Sequence, residues 1–421
     1  MQTAPASNPI KVRILSCGMP LLVEEMRGVR SAAISWLLPA GNATDADGEA
    51  GDGWSAMLAE LAQRGAGTRD SRAYSDALDR AGVQRSVAPA SVHVVISATT
   101  IGSRIGEALP LFADLVVRPR LPGDAMDAVR SLAIQSLESL QDDPQHRVAL
   151  RLRERHLPPP FNRSGFGNLA AFERASIDAL RAEWSTRVRP VGSILAVAGA
   201  VDADEIARTM DELLAGWHGT ARDPKVAAAA IRGVEHEEDE SNQTHVAIGL
   251  DAPSEGEPES LLCRIATSIL GGETSSRLFT EVREKRGLCY SVNAGYSGGR
   301  DRGMVALYAG STPERAQETL DTIHAELVRF RNGVDADEFR RAVTGIKSRL
   351  VMSGESTASR AASLASDWYR LGRCRPLAEL SAEVDAVTLD ALNGWIAGAM
   401  GEPWMRSMTM CTIGKSELRR P

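Results

Sequence analysis

One order of elements runs twice through this chain of 421 residues. In the first half the patterning predicts two short strands over 12–24 and a third over 31–38. A helix over 54–64, another over 71–81 and an alternating strand pair over 86–100 follow. Then come a helix over 105–117, a long helix from Asp124 through Leu140, further helices, and a buried strand over 193–199. The second half predicts a strand over 244–250, a helix over 259–270, strands over 288–296 and 303–309, and a helix over 313–330. A long helix over 335–352, helices over 358–371 and 389–400, and a last strand over 408–413 complete it. The periods of 2 and 3.6 residues carry these assignments. The expected fold class is α+β, with two homologous halves, each an antiparallel sheet covered by helices. Sequence identity between the halves is slight, so the duplication rests on order and length.

Between the halves the character changes. Residues 220–242 hold Pro224, an Ala run and the acidic string from Glu235 to Glu240. Like charges in a row repel, so this stretch reads as an exposed linker joining a domain over 1–219 to one over 243–421. His236, Glu237 and Glu238 are consecutive, with no scaffold to converge them on a metal, so a solvated charge run is the better reading.

Composition narrows the function classes. A formal net charge of -7 and the lack of a basic stretch argue against a nucleic-acid partner. Five cysteines, far apart and in no C-x-x-C pair, have the pattern of free thiols in a reducing compartment. The N-terminal residues have no apolar core of a signal peptide, and no run is long enough to span a bilayer, so no membrane is expected. Cytoplasmic residence is the default expectation.

The stretch over 271–292, GGETSSRLFTEVREKRGLCYSV, carries the most chemistry. Gly271 and Gly272 permit a tight turn or close approach to a ligand. Leu278, Val282 and Lys285 have helical spacing, and Gly287 breaks the helix before a β-prone segment. Arg283 near the helix end and Tyr290 on the following strand can point at one spot, where a guanidinium and a phenol hold a developing oxyanion. From those two residues alone, a surface Arg and a packed strand Tyr is the simpler reading.

That stretch closely resembles the second-half signature of the pitrilysin/insulinase-type zinc peptidases, the group that includes mitochondrial processing peptidase. Gln243-Thr244-His245 and the segment SGESTASRAASLA over 353–365 extend the resemblance to essentially the whole chain. It implies two homologous α+β halves forming one side of a clam-like peptide chamber. It also implies that Arg283 and Tyr290 contact the substrate backbone and assist at the tetrahedral intermediate, with Gly271 and Gly272 beside them.

The first half departs from the family pattern. Active members carry His-x-x-Glu-His, whose two His bind zinc while the Glu activates water. Here Ala56 stands for the first His, Ala59 for the base and Glu60 for the second His, and Ser136 stands where a long-helix Glu completes the metal site. None of the seven His forms a replacement motif. His93 reads as a packed strand residue, and His245 as a residue that lines the chamber. No metal or cofactor is therefore expected in this chain. The resemblance then implies a non-catalytic subunit whose partner is a homologous catalytic subunit with an intact zinc motif, the two handling a peptide substrate. The alternative is a non-enzymatic peptide-binding or structural scaffold of the same fold. A peptidase active on its own is the weakest reading.

Overall fold

The structure is a computed structural model that describes residues 8–420. The chain forms two compact units. The first takes residues up to Ser139, Pro159–Ala227 and Met352–Ala378; the second takes Leu140–Pro158, Ala228–Val351 and Glu379 onward.

The first half of the chain supplies strands β1 (Ile10–Ile14), β2 (Pro20–Glu25), β3 (Ser31–Leu38), the small hairpin β4 (Gly65–Ala66) and β5 (Arg69–Asp70), β6 (Gln84–Pro89), β7 (Val94–Ile101) and β8 (Ile194–Gly199). Its helices are α1 (Trp54–Ala62), α2 (Ser71–Arg80), α3 (Ile105–Val117), α4 (Met126–Ser139), α5 (Pro144–His156), α6 (Leu169–Arg174), α7 (Ile177–Arg187) and α8 (Ala203–Leu213). The second half supplies β9 (Val234–Glu238), β10 (Thr244–Ala252), β11 (Ser291–Gly298), β12 (Gly303–Ser311) and β13 (Thr409–Gly414). Its helices are α9 (Ser260–Thr267), α10 (Ala316–Phe330), α11 (Ala336–Glu355), α12 (Thr357–Leu371), α13 (Leu377–Ala386), α14 (Leu389–Ala399) and α15 (Glu402–Arg406).

The duplication is written in the sheets. The first has strand order β1-β2-β8-β3-β7-β6 and the second β11-β12-β10-β13-β9. Read in the same direction, β9, β13, β10, β12 and β11 repeat β2, β8, β3, β7 and β6. Each sheet is antiparallel except for one matching pair, β2 with β8 and β9 with β13. Strands β8 and β13 are buried at every residue, because helices cover both faces of the sheet there. They therefore read as unbroken apolar runs, not as alternation.

The units are not contiguous halves. Helix α5, from the first half, packs on β10 and β13, where Val148 and Leu152 meet Ala247, Cys411 and Ile413. Helix α12, from the second half, packs on β3 and β8, where Leu364 and Ala365 meet Leu22, Ile194 and Ala196. Asp143 starts α5 by accepting from the His146 amide at 2.9 Å, with Pro144 in the first turn. The interruption at Asp142-Asp143-Pro144 is thus the point at which the chain leaves one unit for the other.

The acidic run expected as a solvated linker is instead strand β9, paired in register with β13. Its charge is answered by α5. Arg147 pairs with Glu237 and, at 2.8 Å, with Asp239; Arg151 reaches Glu237 at 3.3 Å and Arg155 reaches Glu235 at 3.6 Å. These arginines are four residues apart and lie along one face of the helix. An acidic edge strand is tolerated because a basic helix crosses it.

Candidate functional site

Helix α1 is held by its first turn. Asp45 Oδ2 accepts from the Gly53 amide at 3.1 Å, and Oδ1 accepts from the Ser55 amide at 3.1 Å and the Ser55 hydroxyl at 2.6 Å. The buried Arg187 donates to the same Oδ1 at 2.5 Å. Burial pushes the Asp45 carboxyl above its ordinary value, and these donors oppose that. Asp45 thus satisfies amides of the helix start from a preceding turn. Gly53 has φ +91°, and a Cβ there would meet Gly167 Cα at 2.5 Å and the Phe172 ring at 2.8 Å. Trp54 Nε1 donates to the Ala171 carbonyl at 2.9 Å.

This anchoring sets α1 against α4. Ala56 and Glu60 on α1 and Ser136 on α4 line one open cleft of about 360 Å³. The structure therefore brings three of the four aligned positions together. Ala59, the fourth, faces the core and is buried. Glu60 is half-buried and paired with Arg64 one turn on. Ser136 Oγ donates to the Leu132 carbonyl at 2.8 Å. Among the described residues no group of His, Cys, Asp and Glu is arranged to hold a metal ion.

In the second unit, α9 passes into a π-helical turn over Ser268–Gly272, and a second π turn spans Phe279–Glu284. Gly271 is buried, and a Cβ there would meet the Ala294 amide nitrogen at 2.6 Å. Its need for glycine is thus explained by contact with β11. Gly272 is exposed. Leu278 and Val282 are fully buried, as the helical spacing implied, while Lys285 is exposed and paired with Glu281 at 2.7 Å. Arg277, which the sequence reading passed over, grips Glu338 with two bonds of 2.6 and 2.7 Å and the Gly333 carbonyl at 2.8 Å. It ties this segment to α11.

Arg283 is exposed, with its guanidinium 4.7 Å from the Phe279 ring centre. Among the described residues it has no ion-pair partner. Tyr290 precedes β11 instead of lying within it; its amide donates to Gly310 O at 2.9 Å and its side chain is 61% exposed. No hydrogen bond joins the two side chains. Leu288 and Cys289 between them are buried.

Three of the histidines, His93, His156 and His245, are packed residues. His93 is buried edge-on against Tyr369, with ring centres 4.6 Å apart, in the turn before β7. His245, expected to line a chamber, is buried, and its Nδ1 lies 2.8 Å from the Tyr308 hydroxyl. His156 lies 3.0 Å from the Thr409 hydroxyl and 3.4 Å from Asp251. All five cysteines are free. Burial pushes Cys289 up to about 11 and Cys263, Cys374 and Cys411 up to about 12, so none is a poised thiolate. Among the described residues no helix is long and apolar enough to cross a membrane.

Comparison with known proteins places the fold among characterised ones. Residues 174–346 match the family model described as the peptidase M16 inactive domain. An uncharacterized zinc protease of Mycobacterium tuberculosis is 26% identical over 387 residues, covering 89% of this chain and 87% of its own length. The chain resembles the pitrilysin-type M16 peptidases. A structure described as the peptidase M16 inactive domain from Pseudomonas fluorescens superposes on this chain with TM-score 0.85 and 19% identity, covering 98% of this chain and all of that one. A chain of complex III2 from Candida albicans has TM-score 0.80 at 16% identity, with 97% and 96% covered. These likenesses establish the two-half M16 fold. The inactive-domain match and these folds support a non-catalytic M16-fold chain.

Proposed function

We propose that this chain is the zinc-less subunit of a heterodimeric M16 metallopeptidase, supplying half of a peptide chamber to a homologous catalytic partner. The observation that carries the reading is the cleft between α1 and α4: Ala56, Glu60 and Ser136 converge there, and they offer a metal one carboxylate that is already paired. Zinc and the general base belong to the partner. The retained part is the segment ending in Arg283 and Tyr290. Two exposed side chains able to donate hydrogen bonds, one on each side of the buried Leu288-Cys289 pair, suit contact with a peptide backbone and a developing oxyanion. Free thiols suit a cytoplasmic complex.

The test is purification of the chain with its bound partner. A partner with an intact His-x-x-Glu-His and one zinc is expected. Replacing Arg283→Ala or Tyr290→Phe in that complex should slow turnover by about 10²–10³-fold, the usual effect of losing one oxyanion donor, while zinc content holds. Unchanged turnover in both variants sinks the oxyanion role. A scaffold without hydrolysis is the second reading, favoured by the likeness to a chain of complex III2. It predicts a stable assembly with no zinc-bearing partner.

A further inference from the structure

The cleft between α1 and α4 has lost its metal ligands but has not closed. Its volume of about 360 Å³ falls within the size of small-ligand pockets, about 300–1,000 Å³. Its walls are largely apolar, with Met57, Val129 and Phe172 fully buried behind them and Leu132, 43% exposed, on its lining. Glu60 is neutralised by Arg64, and the Ser136 hydroxyl is already donating within its own helix. No uncompensated charge in the lining calls for an ion.

One polar group there is unspent. Asn42 is 8% exposed and lines the cleft, and its buried Oδ1 has no hydrogen-bond partner. Buried carboxamides are normally satisfied, and leaving one unpaired destabilises the free state. A carboxamide carries one acceptor and one donor group, the complement of a peptide group. We infer that the cleft is a subsite for one large apolar residue of a bound peptide, with the Asn42 carboxamide, whose Oδ1 is closed off from the cleft in this conformation, rotating to hydrogen-bond that residue's backbone. The inference rests on the peptide-handling role proposed above and adds a specificity to it: uncharged apolar side chains enter, and carboxylates and ammonium groups are rejected because the walls cannot solvate them.

The experiment uses the full chain with ¹³C-methyl-labelled methionine and follows the Met57 methyl by NMR. The probes are N-acetyl-leucine N-methylamide and N-acetyl-aspartate N-methylamide. The leucine probe should shift Met57 saturably, and the aspartate probe should bind more than about tenfold more weakly. Asn42→Leu, close in shape, should weaken the leucine probe by about tenfold, and Ala133→Phe, which fills the cleft, should abolish its effect. A fluorescent, leucine-containing peptide of fifteen residues, followed by anisotropy, separates the two levels of the reading. If it binds while the leucine probe leaves Met57 unmoved, the subsite is overturned and peptide handling stands. If neither binds, the peptide-handling role fails as well. Equal binding of both small probes, or a leucine affinity indifferent to Asn42→Leu, also overturns the assignment.

Discussion

Arg360 Nε donates to Glu24 Oε2 at 2.8 Å, and both side chains are almost completely buried. Arg360 lies on α12 and Glu24 on β2, so the pair fastens a helix drawn from late in the chain to a strand near its start. Arg147 on α5 and Glu237 on β9 form the matching link in the other unit. Because β9 repeats β2 and α5 repeats α12, the two links occupy equivalent places in the duplicated fold.

A buried pair is most costly to break from one side only. Arg360→Leu leaves the Glu24 carboxylate without its cation in a dry site and should destabilise the protein by about 3–5 kcal/mol. The joint replacement Glu24→Leu with Arg360→Met should recover most of that loss. Urea unfolding midpoints of the three proteins check this. A joint variant as unstable as Arg360→Leu would show that the pair contributes more than charge balance.

The buried His245 makes stability depend on pH. Burial holds its pKa below the ordinary 6.5, with Arg147 acting in the same direction and Asp239 and Asp143 opposing. The folded state therefore resists the proton that the unfolded chain accepts. The stabilisation is complete above pH 6.5 and declines as pH falls through 6.5 towards the depressed folded value. The carboxylates of Asp239 and Asp251 are held below 3.8 and act only in stronger acid. The drop in urea midpoint between pH 7.5 and 5.5 should be smaller in His245→Gln than in the native chain. An identical drop would place the acid sensitivity elsewhere.

The Gly pair divides into a packing residue and a surface residue. Gly271 has an extended φ of −158° that any residue adopts, so the obstacle is the Ala294 backbone at 2.6 Å. Gly271→Ala should destabilise by about 1–3 kcal/mol, as overpacking does. Beyond Gly272 a Cβ would meet first the Ser268 hydroxyl at 3.2 Å, a group free to rotate, so Gly272→Ala should leave the melting temperature within about 2 °C. Equal melting temperatures for the two variants would refute the division.

Much of the fold is legible from periodicity, because strands such as β7 alternate and helices such as α8 carry a cap at Asp202 and an apolar face. The all-buried β8 and β13 are also legible, as short apolar runs. What local pattern does not reveal is which sheet a helix covers. Both α5 and α12 read as ordinary helices, and their exchange rests on contacts between residues far apart in the chain, as Arg147 and Glu237 are at 90 positions. The acidic β9 misleads for the same reason, since its neutralising arginines come from α5. At the site, Ala56, Glu60 and Ser136 were placed by alignment to a motif they no longer contain. Asn42 was invisible, because an unpaired amide is a property of packing and has no sequence signal.

If the cleft is a metal site emptied by substitution, restoring its ligands should refill it. Ala56 and Glu60 are four apart on α1, so Ala56→His with Glu60→His puts two imidazoles on one helical face, and Ser136→Glu adds a carboxylate from α4. With Ala59→Glu, the four substitutions rebuild His-x-x-Glu-His and its third ligand. The cost of losing the half-exposed pair between Glu60 and Arg64 is small. The fourfold variant should retain about one zinc per chain after dialysis, and omitting Ser136→Glu, a direct ligand, should weaken zinc binding by more than the roughly 10–100-fold that loss of an outer-shell group costs. Metal content by atomic emission, with competition against a chromogenic chelator, measures both. A folded fourfold variant that holds no more zinc than the native chain would mean that α1 and α4 are not spaced as a metal site, and the assignment of Ala56, Glu60 and Ser136 to the lost ligands would fall.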